Sequence, residues 1–441
     1  MTATRIPGSP ARPNAPRASK RPAAPGTTHS TAPTTEHHAP GAVVAVKRIF
    51  AAESANYFLL LGTTLFLVAF GLVMVLSSSS IDSYKENGGN SFTDFFKQGL
   101  YALIGIPLLL VASRMSPAFW KKWAWVAIGA AMAMQLLVFV PGVGITTQGN
   151  TNWIHIGPIT AQPSELVKLA LIVWTGYIIS RKEGLLADWR HLVVPVAPVA
   201  GLAILLVLAG NDLGTAVMML GIVFGCLFFA GVKLRHLIVA ALVIGFVGVL
   251  FSATGASRSS RISQWLTGCD SVDTSNACWQ PVHGTWALAS GGIFGVGLGN
   301  SKMKWSWLPA AENDYIFAII GEELGLIGAI VVLVLFIVLA IALVRVFRST
   351  TDSFGRIVTG GVLVWIIGQA LVNIAVVLGL LPVLGVPLPL ISAGGSALIS
   401  SLLAIGVVLS IARQPREERE TPVGQTPADR SRLAAATRSR L

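Results

Sequence analysis

An acidic residue at the mouth of a long basic loop is the first feature of this chain that has the parts for a reaction. Asp314 stands in Leu308-Pro309-Ala310-Ala311-Glu312-Asn313-Asp314-Tyr315, where the segment 255–313 gives way to an apolar run. That segment carries Arg258, Arg261, Lys302 and Lys304. Group transfer from a diphosphate needs cations against the charge that develops on the leaving group. It also needs a base within hydrogen-bond reach of the acceptor hydroxyl. A carboxylate beside cations supplies both. A free Asp titrates near ~3.9 and is a weak base; burial raises that value and nearby cations lower it. Two readings of Asp314 stay open here, a helix N-cap following Pro309 and a reactive carboxylate.

Other charges lie in or beside apolar runs, where each costs roughly 2.5–3.5 kcal/mol at a helix centre and calls for a reason. Glu165 and Lys168 are three apart and can face one another on a helix, as a self-neutralising pair or as part of a site. Asp212 follows Gly210-Asn211 and suits a helix N-terminus, where the macrodipole favours a carboxylate. Glu322 lies eight residues past Asp314, about 12 Å along a helix axis. At that depth Glu322 and Glu323 suit orientation of a neighbouring element or a polar cavity rather than a shared reacting atom. The run Gly291-Gly292-Ile293-Phe294-Gly295-Val296-Gly297-Leu298-Gly299 follows no strand and lacks a Gly-Lys-Ser ending, so it is no nucleotide loop. Close packing, a turn, or a backbone nest for an anion remain as its readings. His37-His38 has no further ligand type at useful spacing. Cys226 sits in an apolar run as a packing residue; Cys269 and Cys278 share one polar loop, as a disulfide if that loop meets an oxidising compartment and as free thiols otherwise.

The elements that position these groups are membrane helices. Of 441 residues, 53% are hydrophobic and 12% charged, and the mean hydropathy is +0.70. A soluble chain carries roughly 25% charged residues. Apolar runs near 55–77, 96–113, 123–141, 163–180, 192–210, 212–230, 237–254, 314–345, 357–380 and 395–412 predict an all-α polytopic membrane protein of about ten transmembrane helices. Basic residues in short loops (Lys121, Lys122, Arg181, Lys182, Arg190, Lys233, Arg235, Arg345, Arg348, Arg356) put those loops and both tails in the cytoplasm. Loops 78–95, 142–162, 255–313 and 381–394 then face out, the largest lying between the seventh and eighth spans. Its glycines and Trp279, Trp286, Trp305 and Trp307 argue for an ordered, functional loop. Residues 1–46 read as a disordered basic tail, 47–412 as the membrane domain and 413–441 as a second tail. The formal net charge of +12 falls mostly on tails and span ends, which fits anionic membrane lipids and not nucleic acid.

Four stretches, in order, then resemble the shape, elongation, division and sporulation (SEDS) glycosyltransferases across nearly the whole membrane body. The first is Trp153-Ile154-His155-Ile156-Gly157 with Gln162-Pro163-Ser164-Glu165-Leu166-Val167-Lys168; the second is Asp212-Leu213-Gly214-Thr215. The third runs from Gly297-Leu298-Gly299-Asn300-Ser301 through Lys304 and Pro309 to Asp314-Tyr315-Ile316-Phe317 and Gly321-Glu322-Glu323-Leu324-Gly325. The fourth holds Asn373, Gly379, Pro382, Gly385 and Ser392-Ala393-Gly394-Gly395-Ser396. The resemblance implies polymerisation of lipid II, an undecaprenyl-diphosphate-linked glycan, outside the membrane with inversion at the sugar carbon. It implies Asp314 as the essential base. Substrate contacts fall to Gln162, Glu165, Lys168, Arg258, Arg261, Lys302, Lys304 and Ser392, with support from Asp212, Pro309, Glu322, Glu323, Gly394 and Gly395. The division branch is the nearer in pattern, which implies a class B penicillin-binding transpeptidase and other divisome membrane proteins as partners at the septum. Asn152, Gly210-Asn211 and Glu312 depart from the family's usual Arg, Gln-Pro and His. A divalent cation, Mg or Mn, would suit the diphosphate, yet no metal-ligand spacing is visible and no metal site is assigned. Two other classes stay in view: a carrier that flips lipid-linked precursors, for which an internal repeat is missing, and a non-catalytic division scaffold, in which Asp314 would be idle.

Overall fold

The computed structural model describes residues 54–147, 150–156, 159–185, 189–253, 256–268 and 278–413. The tail expectations for 1–46 and 414–441, and Cys269, lie outside them. The described chain runs through α1 (Ala55–Glu86), α2 (Thr93–Arg114), α3 (Pro117–Leu136), β1 (Gly144–Thr147), β2 (Asn150–Ile156), β3 (Ile159–Ala161) and α4 (Pro163–Ser180). It continues through α5 (Trp189–Ala209), α6 (Leu213–Phe229), α7 (Leu234–Ala253), α8 (Ala256–Thr267), α9 (Trp279–Gly291), α10 (Ile316–Ser349), α11 (Ser353–Val377) and α12 (Gly395–Ala412).

A helix occupies each of the ten expected positions. Six of them (α1, α2, α3 with the turn after it, α10, α11 and α12) are long and apolar enough to cross a bilayer by themselves. Shorter apolar helices lie at Val193–Ala209, Leu213–Phe229 and Leu234–Gly245. The chain is a multi-pass membrane protein. Large apolar side chains such as Phe66, Leu103, Val194, Leu242 and Val334 stay exposed, as lipid-facing positions must.

Local chemistry sets the helix ends. Ser116 accepts from the Phe119 amide at 3.3 Å with Pro117 in the first turn, and Asp352 accepts from the Gly355 amide at 3.2 Å. The first helix outruns its expected end at residue 77 and runs on to Glu86, its serines hydrogen-bonded to the preceding turn: Ser79 Oγ donates to the Val75 carbonyl at 2.7 Å. The all-α expectation needs one correction. Segment 142–162 folds as a three-stranded antiparallel sheet, ordered β1-β2-β3, with Ile145 opposite Trp153 and His155 opposite Thr160. Threonines and isoleucines alternating with polar residues favour strands here. Gly144 packs on the Val138 carbonyl, where a Cβ would sit 1.8 Å from the oxygen.

The long basic segment is not an open loop. It contains α8 and α9, and α9 packs along α10. α10 itself is broken at Gly325, whose φ of 68° and ψ of −164° lie outside any helix. At the break, four backbone groups bond instead to the glycine run after α9. Val296 and Gly297 amides donate to the Glu322 and Glu323 carbonyls at 3.0 Å each. Leu326 and Ile327 amides donate to the Gly292 and Ile293 carbonyls at 2.9 and 3.3 Å. An unmet backbone group at this depth would cost several kcal/mol. Of the readings for the glycine run, close packing and turns hold, with positive φ at Gly292, Gly295, Gly297 and Gly299.

Candidate active site

Asp314 lies just before the N-terminal end of α10 but does not cap it. The residue at the cap position is Tyr315, which makes no side-chain cap bond. Residues 309–315 form turns, so Pro309 does not begin the helix as expected; its carbonyl accepts from Gln280 Nε2 at 3.0 Å. Asn373 Nδ2, from α11, donates to the Asp314 carbonyl at 2.7 Å and to the Val386 carbonyl at 2.8 Å. Ser392 Oγ donates to the Asn313 carbonyl at 2.6 Å and accepts from the Leu388 amide at 2.8 Å. The Ala393 amide donates to the Glu312 carbonyl at 2.9 Å. The turn carrying the carboxylate is therefore held from below by the loop that joins α11 to α12.

Asp314 keeps part of its surface open while protein crowds the rest. Burial, reinforced by the Asp212 carboxylate and opposed by Arg261, pushes its carboxyl up to about 6. Gly385, at φ 68°, faces it so closely that a Cβ there would lie 3.6 Å from Oδ2. The Tyr315 hydroxyl is raised by burial and by Asp314, and it has no hydrogen-bond partner among the described residues. Glu312, which replaces the family's usual His, is pushed up to about 7 by burial and by Asp82, Asp94 and Glu86.

A second polar layer begins at Asp212, which does cap a helix: its Oδ1 accepts from the Thr215 amide at 2.9 Å. Its Oδ2 accepts from Gln162 Nε2 at 3.0 Å, and burial raises its carboxyl. Gln162 also reaches α12, its amide donating to Ser396 Oγ at 3.0 Å. Glu165 and Lys168 form a buried ion pair at 2.7 Å, with Lys168 Nζ 4.8 Å from the Trp365 ring centre. Lys168 Nζ also donates to Gln369 Oε1 at 3.0 Å. Both members are about 2% exposed, so the pair meets substrate only through its neighbours.

The basic residues of the long segment divide. Arg261, on α8, is exposed and within electrostatic range of Asp314. Lys302 has an exposed side chain, and its amide donates to Glu322 Oε1 at 2.9 Å. Arg258 lies on α8 one turn before Arg261, and its side chain falls outside the described residues. Lys304, expected to hold substrate, is instead buried. Its Nζ pairs with Glu323 Oε1 at 3.2 Å and donates to the Gly299 carbonyl at 2.6 Å. Glu323 also accepts from Ser77 Oγ, and Glu322 accepts from Ser301 Oγ. Glu322, Glu323 and Lys304 thus fasten the glycine run to α1 and α10, in line with an orienting role for the two glutamates. A charge-assisted network this deep leaves Lys304 no free donor direction toward a ligand.

Gly394 donates from its amide to Gln98 Oε1 at 3.2 Å, and Gly395 lies under the Tyr101 ring, where a Cβ would come within 2.3 Å. Cys278 is disulfide-bonded; its expected partner Cys269 is outside the described residues. Gln98, Trp365 and Gln369 join the site only in three dimensions; the signal in the sequence is side chains with N–H donors in otherwise apolar helices, which in lipid find partners across helices. Among the described residues, no group of three or more His, Cys, Asp or Glu is arranged to hold a metal ion.

Comparison with known proteins follows the same outline. The family model FtsW/RodA/SpoVE, described as "Cell cycle protein", matches residues 57–417. The probable peptidoglycan glycosyltransferase FtsW of Mycobacterium tuberculosis is 37% identical over 362 residues, covering 82% of this chain and 68% of that protein. Stage V sporulation protein E of Bacillus subtilis is 36% identical over 361 residues, covering 81% and 97%. Among solved structures, the rod shape determining protein RodA of Thermus thermophilus superposes with a TM-score of 0.61 at 24% identity, covering 83% of this chain and 99% of that one. A chain of a peptidoglycan synthase complex, described as coordinating polymerization and crosslinking, gives 0.63 at 24% identity, covering 79% and 96%. With the family's motifs folded around Asp314 and its model spanning the whole described helical body, the chain belongs to the FtsW/RodA/SpoVE family of cell cycle proteins.

Proposed function

We propose that the chain is a peptidoglycan glycosyltransferase that polymerises lipid II at the outer face of the cytoplasmic membrane during septal wall synthesis. Its relatives named peptidoglycan glycosyltransferase support the activity. The observation that carries the mechanism is a partly open Asp314 whose carboxyl is raised to about 6 with a cation, Arg261, in range. The acceptor hydroxyl oxygen attacks the anomeric carbon of the lipid-linked donor. Its proton passes to the Asp314 carboxylate as the carbon–oxygen bond to the diphosphate breaks. Attack opposite the leaving group inverts the carbon. The electron pair leaves on the diphosphate, which Arg261, Arg258 and Lys302 receive electrostatically. Ser392 and Gln162 hold the site's loops, and Glu165 and Lys168 shape its floor.

Ten crossings with both termini cytoplasmic fit the alternation of helix ends. One set of ends is joined by Ser392 to Asn313 and Gln162 to Asp212. The other is joined by Lys121 to Asp352 and Trp120 to Ser410. A class B penicillin-binding transpeptidase would crosslink the new strand, with other divisome membrane proteins around it, and a Cys269–Cys278 disulfide would brace the outer segment. A lipid-linked precursor carrier is the second reading, favoured by the broken helix at Gly325. Against it, backbone groups on both sides of the break are taken up by the chain's own glycine run, not left for a ligand. The test uses full-length protein, its partner transpeptidase and lipid II. Glycan formation that is lost in Asp314→Asn with folding intact supports the enzyme; translocation of lipid without polymer supports the carrier.

A further inference from the structure

We propose that Asn373 and Gln369 are positioning residues for Asp314, two turns of a polar rail on α11 that fix where the reactive carboxylate sits. The inference rests on the glycosyltransferase reading and extends it to residues that touch no substrate.

Trp365, Gln369 and Asn373 follow one another at intervals of four, so they share one face of α11. All three are buried. The two carboxamides bind adjacent carbonyls of one loop segment, and Asn373 also reaches the reactive turn. Asn373 divides one amide nitrogen between the carbonyls of Asp314 and Val386, at 2.7 and 2.8 Å. Gln369 Nε2 donates to the Pro387 carbonyl at 2.9 Å. The Gln369 oxygen accepts from Lys168 Nζ and from Trp365 Nε1, both at 3.0 Å. The rail therefore runs from the buried Glu165–Lys168 pair, through Gln369, to the 385–388 segment and the backbone of Asp314.

The 385–388 segment is what Asp314 leans on, through Gly385. Leu388 is tied to the following turn, its amide donating to Ser392 Oγ and its carbonyl accepting from the Ile391 and Ser392 amides, while Pro387 has no amide hydrogen to give. Its carbonyls at 386 and 387 are bound by the rail alone among the described contacts. Asn373 thus holds the reactive turn at Asp314, and Asn373 and Gln369 together hold the segment it faces, while Ser392 and Ala393 hold the turn at Asn313 and Glu312. A group misplaced by about 1 Å can lose on the order of 10²-fold in rate, because the bound geometry must be near that of attack.

A simpler role for Gln369 is to satisfy Lys168, and the substitution Gln369→Glu separates the two. It retains an oxygen for Lys168 and Trp365 but removes the donor to Pro387. Asn373→Leu removes both donors at Asp314 and Val386 with little change in size. The experiment purifies each full-length variant with the partner transpeptidase. It measures thermal stability, the stoichiometry of labelled lipid II bound, and kcat and KM for glycan formation. For both variants we expect near-normal binding stoichiometry, KM within threefold, and kcat per bound molecule lower by about tenfold to a hundredfold. Normal kcat per bound molecule in Gln369→Glu overturns the proposal, as does a loss carried wholly by KM or by the fraction able to bind. If Asn373→Leu does not fold, Gln369→Glu and Asn373→Asp decide by the same criteria. Polymer from wild type, none from Asp314→Asn and normal turnover in the rail variants sinks this inference alone. No polymer from wild type overturns it together with the function it rests on.

Discussion

The acid limb of the pH–rate profile is the most direct consequence of the site. Asp314 must be ionised to take a proton, and its carboxyl is held at about 6 by burial and Asp212, against Arg261. Turnover should be flat above pH 7 and half-maximal near 6. It should fall about tenfold per unit below that, since at pH 5 only about one molecule in eleven is ionised. Two substitutions then move the limb in opposite directions. Asp212→Asn removes a neighbouring negative charge while its side-chain oxygen still caps the Thr215 amide, so the limb moves to lower pH. Arg261→Gln removes a cation, so the limb moves to higher pH. Stability carries the matching sign. A carboxyl raised in the folded state weakens folding above about 6, and the penalty disappears as pH falls below the unfolded value. Initial rates of fluorescent lipid II polymerisation from pH 5 to 8, with gel-resolved product, give the profile. A limb centred near 4, or the same direction of shift in both variants, would refute the assignment of Asp314 as the titrating base.

Two further sets of substitutions test the packing that holds the site. Lys168→Met leaves the Glu165 carboxylate buried without its partner and should cost about 3–5 kcal/mol, most of it regained when Glu165→Gln is added. Thermal aggregation of detergent-solubilised single and double variants checks this, and equal melting of the two would count against the buried pair. Gly291→Ala drives a Cβ to 1.9 Å from the Gly321 carbonyl oxygen, and Gly325→Ala meets positive φ and a backbone amide at 2.3 Å. Each should lower stability by more than about 2 kcal/mol through overpacking, while Gly292→Ala, with open space around it, should pay only for its φ. Melting temperatures ranked in any other order would contradict the patched break in α10.

The membrane class, the ten helix positions and the candidate carboxylate were legible in the sequence because each has a local cause. Apolar runs of bilayer length force helices, since backbone groups in lipid have no other partner. Asp212 reads as a helix N-terminus from its own position, and it is one. Glu322 and Glu323 are set too deep for Asp314 by helix rise alone, and they do turn to the glycine run. Lys304 was misjudged because a cation's sequence position says nothing of the carboxylate that claims it: Glu323, nineteen residues later, buries its ammonium. The small sheet at 144–161 was missed because its strands are short and depend on pairing with each other and with the α5–α6 turn, where the Thr151 amide meets the Gly210 carbonyl.

Residue types and their spacing determined by themselves that this chain crosses a membrane and brings one carboxylate to the edge of a cationic segment. Only the tertiary structure decided which cation stays free, what raises the Asp314 carboxyl, and which amides hold its turn. Those depend on residues dozens to hundreds of positions apart meeting in a medium where every unpaired polar group is expensive, and that pairing is written in three dimensions.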